Sequence, residues 1–243
     1  MSIIDDLLIQ VDDAKETDAN NLLALNSKFS KQVILSTLGR LISKGFISKK
    51  EVNNNLFFSI TEKGKKKIDF VLENIKSYST TNQADREVIL IIFDIPEKKR
   101  SIRDSLRNYL SNNGYGKLQD SIWVSYIDSV KDVEEVINDL NAKDMVTIIK
   151  TQKMNQIELK NFFDKTLYNW TKINNEYEKF LVEANKFLKL TKKESVVAKQ
   201  LVFMFAKILQ HDPKISDKNV SKISLAPKAF EQYSKIRSFC YSS

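Results

Sequence analysis

Two residue types that build many chemical sites are nearly absent from this chain of 243 residues. Cys240 is the one cysteine, which excludes a disulfide within the chain and a metal cluster made of cysteines. His211 is the one histidine, which excludes a histidine-rich metal site. A conventional catalytic pair that contains a histidine is excluded as well, unless His211 is that histidine. The sequence therefore predicts neither a bound metal nor a cofactor.

Long apolar runs are missing too. No run approaches the roughly 18 residues that an α-helix needs to span a bilayer. The first residues, MSIIDDLLIQVDD, are acidic where a signal peptide needs positive charge. These absences predict a cytoplasmic protein with no membrane partner.

Positive charge is abundant, and it is placed unevenly. The formal net charge of +8 favours a polyanionic partner, nucleic acid before membrane. Residues 1–27 hold six acidic residues and one basic residue, whereas residues 28–67 hold ten basic and two acidic residues. A general enrichment in lysine would not concentrate charge in this way. Residues 28–67 are therefore the candidate for nucleic-acid binding.

The order of elements around this segment is that of a winged helix-turn-helix. Helices are predicted over residues 2–13, 17–26 and 30–44, followed by strands 46–49 and 56–60 and a further helix to about residue 77. Gly45 is expected to end the third helix, and Asn53, Asn54 and Asn55 to form the turn between the strands. The segments SKQVILSTLGRLISKGFI and LFFSITEKGKKKI resemble winged-helix transcription regulators.

The third helix has one apolar and one polar face. Five apolar residues share a face at 100° per residue, namely Ile34, Leu35, Leu38, Leu41 and Ile42. On the other face, glutamine can bond an adenine edge, arginine a guanine edge, and a valine methyl can touch thymine. Lysines here and in the wing suit phosphates. The predicted DNA-binding residues are Lys31, Gln32, Val33, Ser36, Thr37, Arg40, Lys44, Lys49 and Lys50. A solvated amphipathic helix is the alternative interpretation.

The rest of the chain divides into two further modules. Residues 86–155 show a βαββαβ order, with strands 87–93, 117–119, 122–126 and 145–150 and helices 98–112 and 130–142. This order predicts a ferredoxin-like sandwich. Residues 156–243 are predicted to form helices, with an apolar stripe that includes Phe163, Trp170, Tyr177, Leu181, Ala184 and Leu188. The predicted fold class is α+β multidomain: a winged helix at 1–77, a ferredoxin-like domain at 86–155 and an all-α C-terminal domain at 156–243.

The whole order resembles the PaaX family of transcriptional repressors, in which a winged helix, a ferredoxin-like domain and a helical domain are joined. The central domain of that family is similar to the small CRISPR-associated nuclease. The matching residues are Phe93-Asp94-Ile95-Pro96, Arg100, Arg103, Leu106-Arg107, Gly114, Leu118-Gln119 and Ile122-Trp123-Val124, with Asp212-Pro213, Pro227 and Phe230 fitting loosely. The Trp-Pro-Gly segment of the family is replaced by Leu225-Ala226-Pro227.

The resemblance implies a dimeric, sequence-specific DNA-binding repressor rather than an enzyme. Its partners would be double-stranded DNA and a second copy of the chain. Such repressors release DNA on binding an aryl-CoA thioester, which leaves a small-molecule effector of the acyl-CoA type open for this chain. A dimerising module with weak, non-specific DNA affinity is another alternative.

Asp94 has two possible roles. In the nuclease relatives an aspartate at this strand end holds a divalent metal at the dimer axis, and two carboxylates across a twofold axis could supply Mg²⁺. This is the alternative function, a metal-dependent nuclease with Asp94 as its catalytic residue. The favoured interpretation is a structural clamp, in which the carboxylate accepts backbone N–H groups or pairs with arginine. The arginines are Arg100, Arg103 and Arg107, which line one stripe of the following helix.

Overall fold

The computed structural model describes residues 2–80, 88–125, 130–151, 170–212 and 224–241. The predicted stripe residue Phe163 and most of the predicted linker 77–85 lie outside these ranges. The chain forms two compact units. Unit 1 comprises Met1–Asn74, Glu178–Lys207 and Lys228–Ser243, and unit 2 comprises Ile75–Tyr177 and Ile208–Pro227. The α+β class is confirmed, and the three-domain boundaries remain a prediction.

The first elements of unit 1 alternate helices with short strands. They are α1 (Ile3–Ala14), β1 (Glu16–Asp18), α2 (Ala19–Leu25), α3 (Lys31–Ser43), β2 (Ile47–Val52), β3 (Asn55–Ile60) and α4 (Glu62–Thr80), which belongs to unit 1 up to Asn74. The strands form an antiparallel sheet in the order β1-β3-β2. The predicted helix 17–26 is wrong at its start, because residues 16–18 pair with β3 and Asp18 caps α2 by accepting from the Asn21 amide at 2.9 Å.

The hairpin of β2 and β3 turns at two of its three predicted asparagines, whereas Asn55 is the first residue of β3. Asn53 and Asn54 have φ of 49° and 62°, and Val52 lies opposite Asn55. Asparagine tolerates the left-handed region better than other residues with a side chain, so a two-residue turn with both φ angles positive can form. Val52, near the tip of this hairpin, is 38% exposed, and the hairpin is called the wing below.

The core of the N-terminal part of unit 1 comes from the apolar faces of its helices and sheet. Its buried members include Leu7, Leu22, Ile34, Leu38, Leu41, Ile47 and Phe58. The predicted apolar face of α3 is confirmed at Ile34, Leu38 and Leu41, but Leu35 is 40% exposed. The buried face is therefore rotated away from Leu35, which lies at its margin.

Unit 2 contains a four-stranded antiparallel sheet. Its elements are β4 (Ile89–Phe93), α5 (Arg100–Asn112), β5 (Gly116–Gln119), β6 (Ile122–Ser125), α6 (Val130–Asp139) and β7 (Val146–Lys150). The strand order β5-β6-β4-β7 is that of the predicted ferredoxin-like sandwich. Ile91, Leu106, Leu110 and Val133 are fully buried between the sheet and the helices. Gly114 follows α5 with a φ of 77°, which favours glycine.

The C-terminal part of the described chain is helical. It consists of α7 (Trp170–Lys189), α8 (Ser195–His211), α9 (Ala226–Ile236) and a 3₁₀ turn (Arg237–Tyr241). In unit 1, the ring of Phe205 stacks on that of Tyr233 with centroids 5.0 Å apart, and it lies 5.3 Å from that of Phe180. No helix in the described ranges is long and apolar enough to cross a membrane.

Carboxylates of α1 lie against α8 within unit 1. Lys199 Nζ donates to Asp13 Oδ1 at 2.7 Å, and Lys207 Nζ donates to Asp5 Oδ2 at 2.8 Å. Between them, Gln200 Nε2 donates to Asp6 Oδ1 at 3.1 Å. Three acidic residues of the N-terminal segment are thus held by a helix about 190 residues further along the chain.

Asp6 makes the stability of the protein depend on pH. Burial raises the pKa of this carboxyl above its ordinary value of 3.8, and Lys28 opposes the rise. The folded state therefore holds the proton more tightly than the unfolded chain, and stability falls as pH rises from just below 3.8 through the raised pKa. We expect Asp6→Asn to be more stable than the wild type at pH 7, with the difference disappearing towards pH 3.

Thermal unfolding at several pH values measures this difference. The amide oxygen of the variant can still accept from Gln200, so the contact with α8 is kept. A difference that is constant between pH 3 and pH 7 would show that ionisation of Asp6 is not its cause.

Candidate nucleic-acid interface

α3 begins and ends at defined side-chain and backbone caps. Ser30 Oγ accepts from the Val33 amide at 3.4 Å, and Gly45 follows the helix with a φ of 71°, as predicted. The Gly45 amide donates to Ile42 O at 2.8 Å, which closes the last turn. Most of the predicted DNA-binding residues on the helix are exposed, namely Lys31, Gln32, Val33, Ser36, Arg40 and Lys44.

Thr37 departs from the prediction. This residue has no exposed surface, so its side chain cannot contact a base directly. Its hydroxyl donates to Val33 O at 2.8 Å and accepts from Arg40 Nη2 at 3.1 Å. The helical wheel placed Thr37 on the polar face because it is polar, whereas packing places it at the edge of the buried face.

The two wing lysines lie on β2 and point to opposite faces of the hairpin. Both are exposed, and Lys49 lies opposite Phe58 while Lys50 lies opposite Phe57. Because successive side chains of a strand alternate, a duplex lying along one face of the wing meets one of the two lysines directly. The sequence pattern predicted the same phosphate-binding role for both lysines, whereas the sheet register places their side chains on opposite faces.

A threonine joins the end of α3 to the base of the wing and the start of α4. Thr61 Oγ1 lies 2.6 Å from Gly45 O and 3.0 Å from Phe46 O, and it accepts from the Gly64 amide at 3.0 Å. Gly64 is buried, and a Cβ atom added there would lie 2.1 Å from Phe46 O. This close approach holds the wing and α3 in a fixed relation, and it requires glycine at position 64.

The basic side chains of residues 28–67 lack close carboxylate partners in the described part of the chain. Within the described ranges, none of the ten basic side chains of this segment lies within 4.0 Å of a carboxylate. By contrast, Asp5 and Asp13 of the acidic N-terminal segment are paired with α8 lysines. α3, the wing and the start of α4 therefore present cations that a phosphate backbone can neutralise.

Asp94 does not act as the predicted clamp. Its side chain is exposed, and in the described part of the chain it forms no ion pair with the arginines of α5. Its backbone amide donates to Met145 O at 2.9 Å, at the end of β4. Neither the 3₁₀ turn Glu97–Lys99 nor α5 has a side-chain cap at its start.

Glu97 takes the place that was predicted for Asp94. Arg103 Nη2 donates to Glu97 Oε2 at 2.7 Å, and Arg100 Nη1 lies 3.9 Å from Glu97 Oε1. The bond from Arg103 is the main cause that lowers the pKa of Glu97. Arg107 instead donates to Asp120 O through Nε and Nη2. The stripe of arginines is thus occupied by contacts within unit 2.

A metal centre finds no support among the described residues. No three of their histidine, cysteine, aspartate or glutamate side chains gather as a metal site. A site that two Asp94 side chains would share across a twofold axis involves a second chain, and it stays a hypothesis.

Comparisons with known proteins identify the central part of the chain. A family profile described as the PaaX protein central Cas2-like domain matches residues 81–162, which include the whole sheet of unit 2. The resemblance to the PaaX family is thereby confirmed for this segment. No curated protein matches the sequence.

A solved structure with a similar fold covers most of the chain. The uncharacterized protein Rv0674 from Mycobacterium tuberculosis aligns with a TM-score of 0.51 and 12% sequence identity. The alignment covers 87% of this chain and 82% of that protein. At this identity the likeness concerns the fold alone.

Proposed function

We propose that this protein is a sequence-specific DNA-binding transcription regulator, a dimeric repressor of the PaaX type. The observation that carries the proposal is the set of basic side chains around α3 and the wing, which lie within 4.0 Å of no carboxylate in the described ranges. A PaaX-type central domain supports a regulatory role in transcription. Such a protein would act in the cytoplasm, on the double-stranded DNA of its own promoter region.

In this proposal the first seven elements of unit 1 form a winged helix whose α3 enters the major groove. Arg40 would bond a guanine edge and Gln32 an adenine edge, while the Val33 methyls would touch thymine. Lys31, Lys44 and one wing lysine would hold phosphates, and Ser36 would contact the groove wall. Two copies would place two α3 helices about one helical turn apart on a palindromic site. Thr37 is not part of this contact surface.

Regulation in this proposal is a coupling between sites. A small-molecule effector of the acyl-CoA type would change the spacing of the two DNA-binding heads and release the duplex. The unusual Leu225-Ala226-Pro227 segment leaves the identity of the effector to experiment.

Selection of duplexes from a randomised DNA library tests the proposal. We expect the full-length protein to enrich one motif that contains two related half-sites. Enrichment of no motif, together with retention of all duplexes at low salt, would indicate a non-specific DNA-binding module instead.

The alternative function, a metal-dependent nuclease, makes a different prediction. It requires that the protein cleave DNA or RNA with Mg²⁺ or Mn²⁺, and that Asp94→Ala abolish the cleavage. We expect intact substrates with both proteins, because Arg103 and Arg107 of α5 already donate to Glu97 and to Asp120 O within unit 2. Cleavage by the wild type alone would favour the nuclease.

A further inference from the structure

The buried hydroxyl of Thr37 forms hydrogen bonds with a backbone carbonyl of α3 and with the side chain of Arg40. Thr37 has no exposed surface, and its Oγ1 lies 2.8 Å from Val33 O and 3.1 Å from Arg40 Nη2. Val33 and Arg40 are both exposed. Thr37 is thus a buried residue whose polar group reaches an exposed cation on the next turn of the same helix.

The direction of the two hydrogen bonds follows from the chemistry of the groups. A carbonyl cannot donate, so the single hydroxyl proton of Thr37 goes to Val33 O. The lone pairs of Oγ1 are then left to accept from the guanidinium, which can only donate. Because Thr37 is fully buried, bulk water does not compete at Oγ1. The branched Cβ of threonine further limits the side chain to few rotamers.

This bond restricts Arg40 before any partner arrives. A free arginine side chain samples many rotamers, and ordering it on binding weakens the complex. A guanidinium presents several N–H groups in a planar fork, and Thr37 accepts from only one nitrogen, Nη2. Whichever Nη2 hydrogen is used, a pair of donors on one edge of the fork remains. Such a pair fits the O6 and N7 acceptors of guanine.

We propose that Thr37 is a positioning residue that sets the sequence specificity of the protein without touching DNA. This inference rests on the proposed function, in which Arg40 reads a base. Holding one rotamer of Arg40 favours the duplex whose guanine lies where that rotamer points. A released Arg40 would still attract phosphates, so overall affinity would change less than discrimination.

The test compares Thr37→Val, Thr37→Ser and Arg40→Ala in the full-length protein. Valine keeps the shape of threonine and removes the hydroxyl, whereas serine keeps the hydroxyl. The probes are the duplex that the wild type selects and a shuffled duplex of equal length. We expect Thr37→Val to lower the ratio of the two affinities about tenfold, and Thr37→Ser to stay within about threefold of the wild type. In an Arg40→Ala background, Thr37→Val should change nothing further.

Each outcome has a defined meaning. If Arg40→Ala lowers the ratio and Thr37→Val does not, the positioning role is overturned and the proposed function stands. If the wild type itself prefers no duplex, both fall. If Thr37→Val fails to fold, the guanidinium NMR resonances of Arg40 are measured in the wild type and in Thr37→Ser without DNA. Slowed rotation of the Nη groups in both proteins supports the positioning role. Free rotation overturns it.

Discussion

Gly64→Ala is expected to lower the free energy of unfolding by about 3 kcal/mol, the upper part of the range for overpacking a tight site. A methyl group at this position would lie 2.1 Å from Phe46 O and 2.6 Å from Ile60 Cδ1. The nearest atom is a backbone oxygen, which also lies 3.0 Å from Thr61 Oγ1, so it cannot move aside like the end of a flexible side chain. Relief requires that α4 move away from β2 and the end of α3.

Gly39→Ala is the matched control, because the same substitution at this position should raise the free energy of unfolding instead of lowering it. Gly39 lies on the exposed side of α3, and an added Cβ would meet nothing within 4 Å. Alanine is a better helix former than glycine by about 1 kcal/mol, so this variant should be more stable than the wild type. Thermal unfolding of both variants without DNA checks the pair. Equal changes of one sign would contradict the packing described around Gly64.

Arg40→Ala is expected to reduce discrimination between the selected and the shuffled duplex by at least about tenfold. A bidentate contact with guanine distinguishes sequences, whereas a phosphate contact does not. Lys49→Ala and Lys50→Ala are the comparison, because they remove charge from the wing and leave α3 unchanged. Binding isotherms at several salt concentrations separate the two kinds of contact.

The wing lysines should differ from each other as well as from Arg40. Their opposite orientations imply that one of the two substitutions lowers affinity for both duplexes equally and reduces the salt dependence by about one phosphate contact. The other substitution should have little effect. A loss of discrimination on removing either lysine, with none on removing Arg40, would place base recognition in the wing.

Local sequence patterns predicted most of the elements correctly. The βαββαβ order of unit 2, the asparagine turn of the wing and the glycine stop after α3 depend on neighbouring residues, and each was found. β1 was missed because Glu16, Thr17 and Asp18 show no apolar alternation. This strand forms only through pairing with β3, about 40 residues later.

Side-chain partners were harder to predict than elements. Thr37 was predicted to lie on the polar face of α3 because it is polar, although its side chain is buried and accepts a hydrogen bond from Arg40. Asp94 was expected to meet the arginines of α5, but the intervening 3₁₀ turn gives Arg103 a nearer carboxylate in Glu97. The pairing of Asp5 and Asp13 with α8 joins residues far apart in sequence, which no local pattern shows.

The ratio of affinities for the selected and the shuffled duplex, measured across salt concentrations, tests the central claim most directly. If α3 reads bases, both affinities should fall steeply as salt rises, while the selected duplex remains at least about a thousandfold preferred near physiological salt. A ratio near one at every salt concentration, with the same steep fall, would mean that the charge of residues 28–67 binds phosphate alone. That result would contradict a sequence-specific regulator.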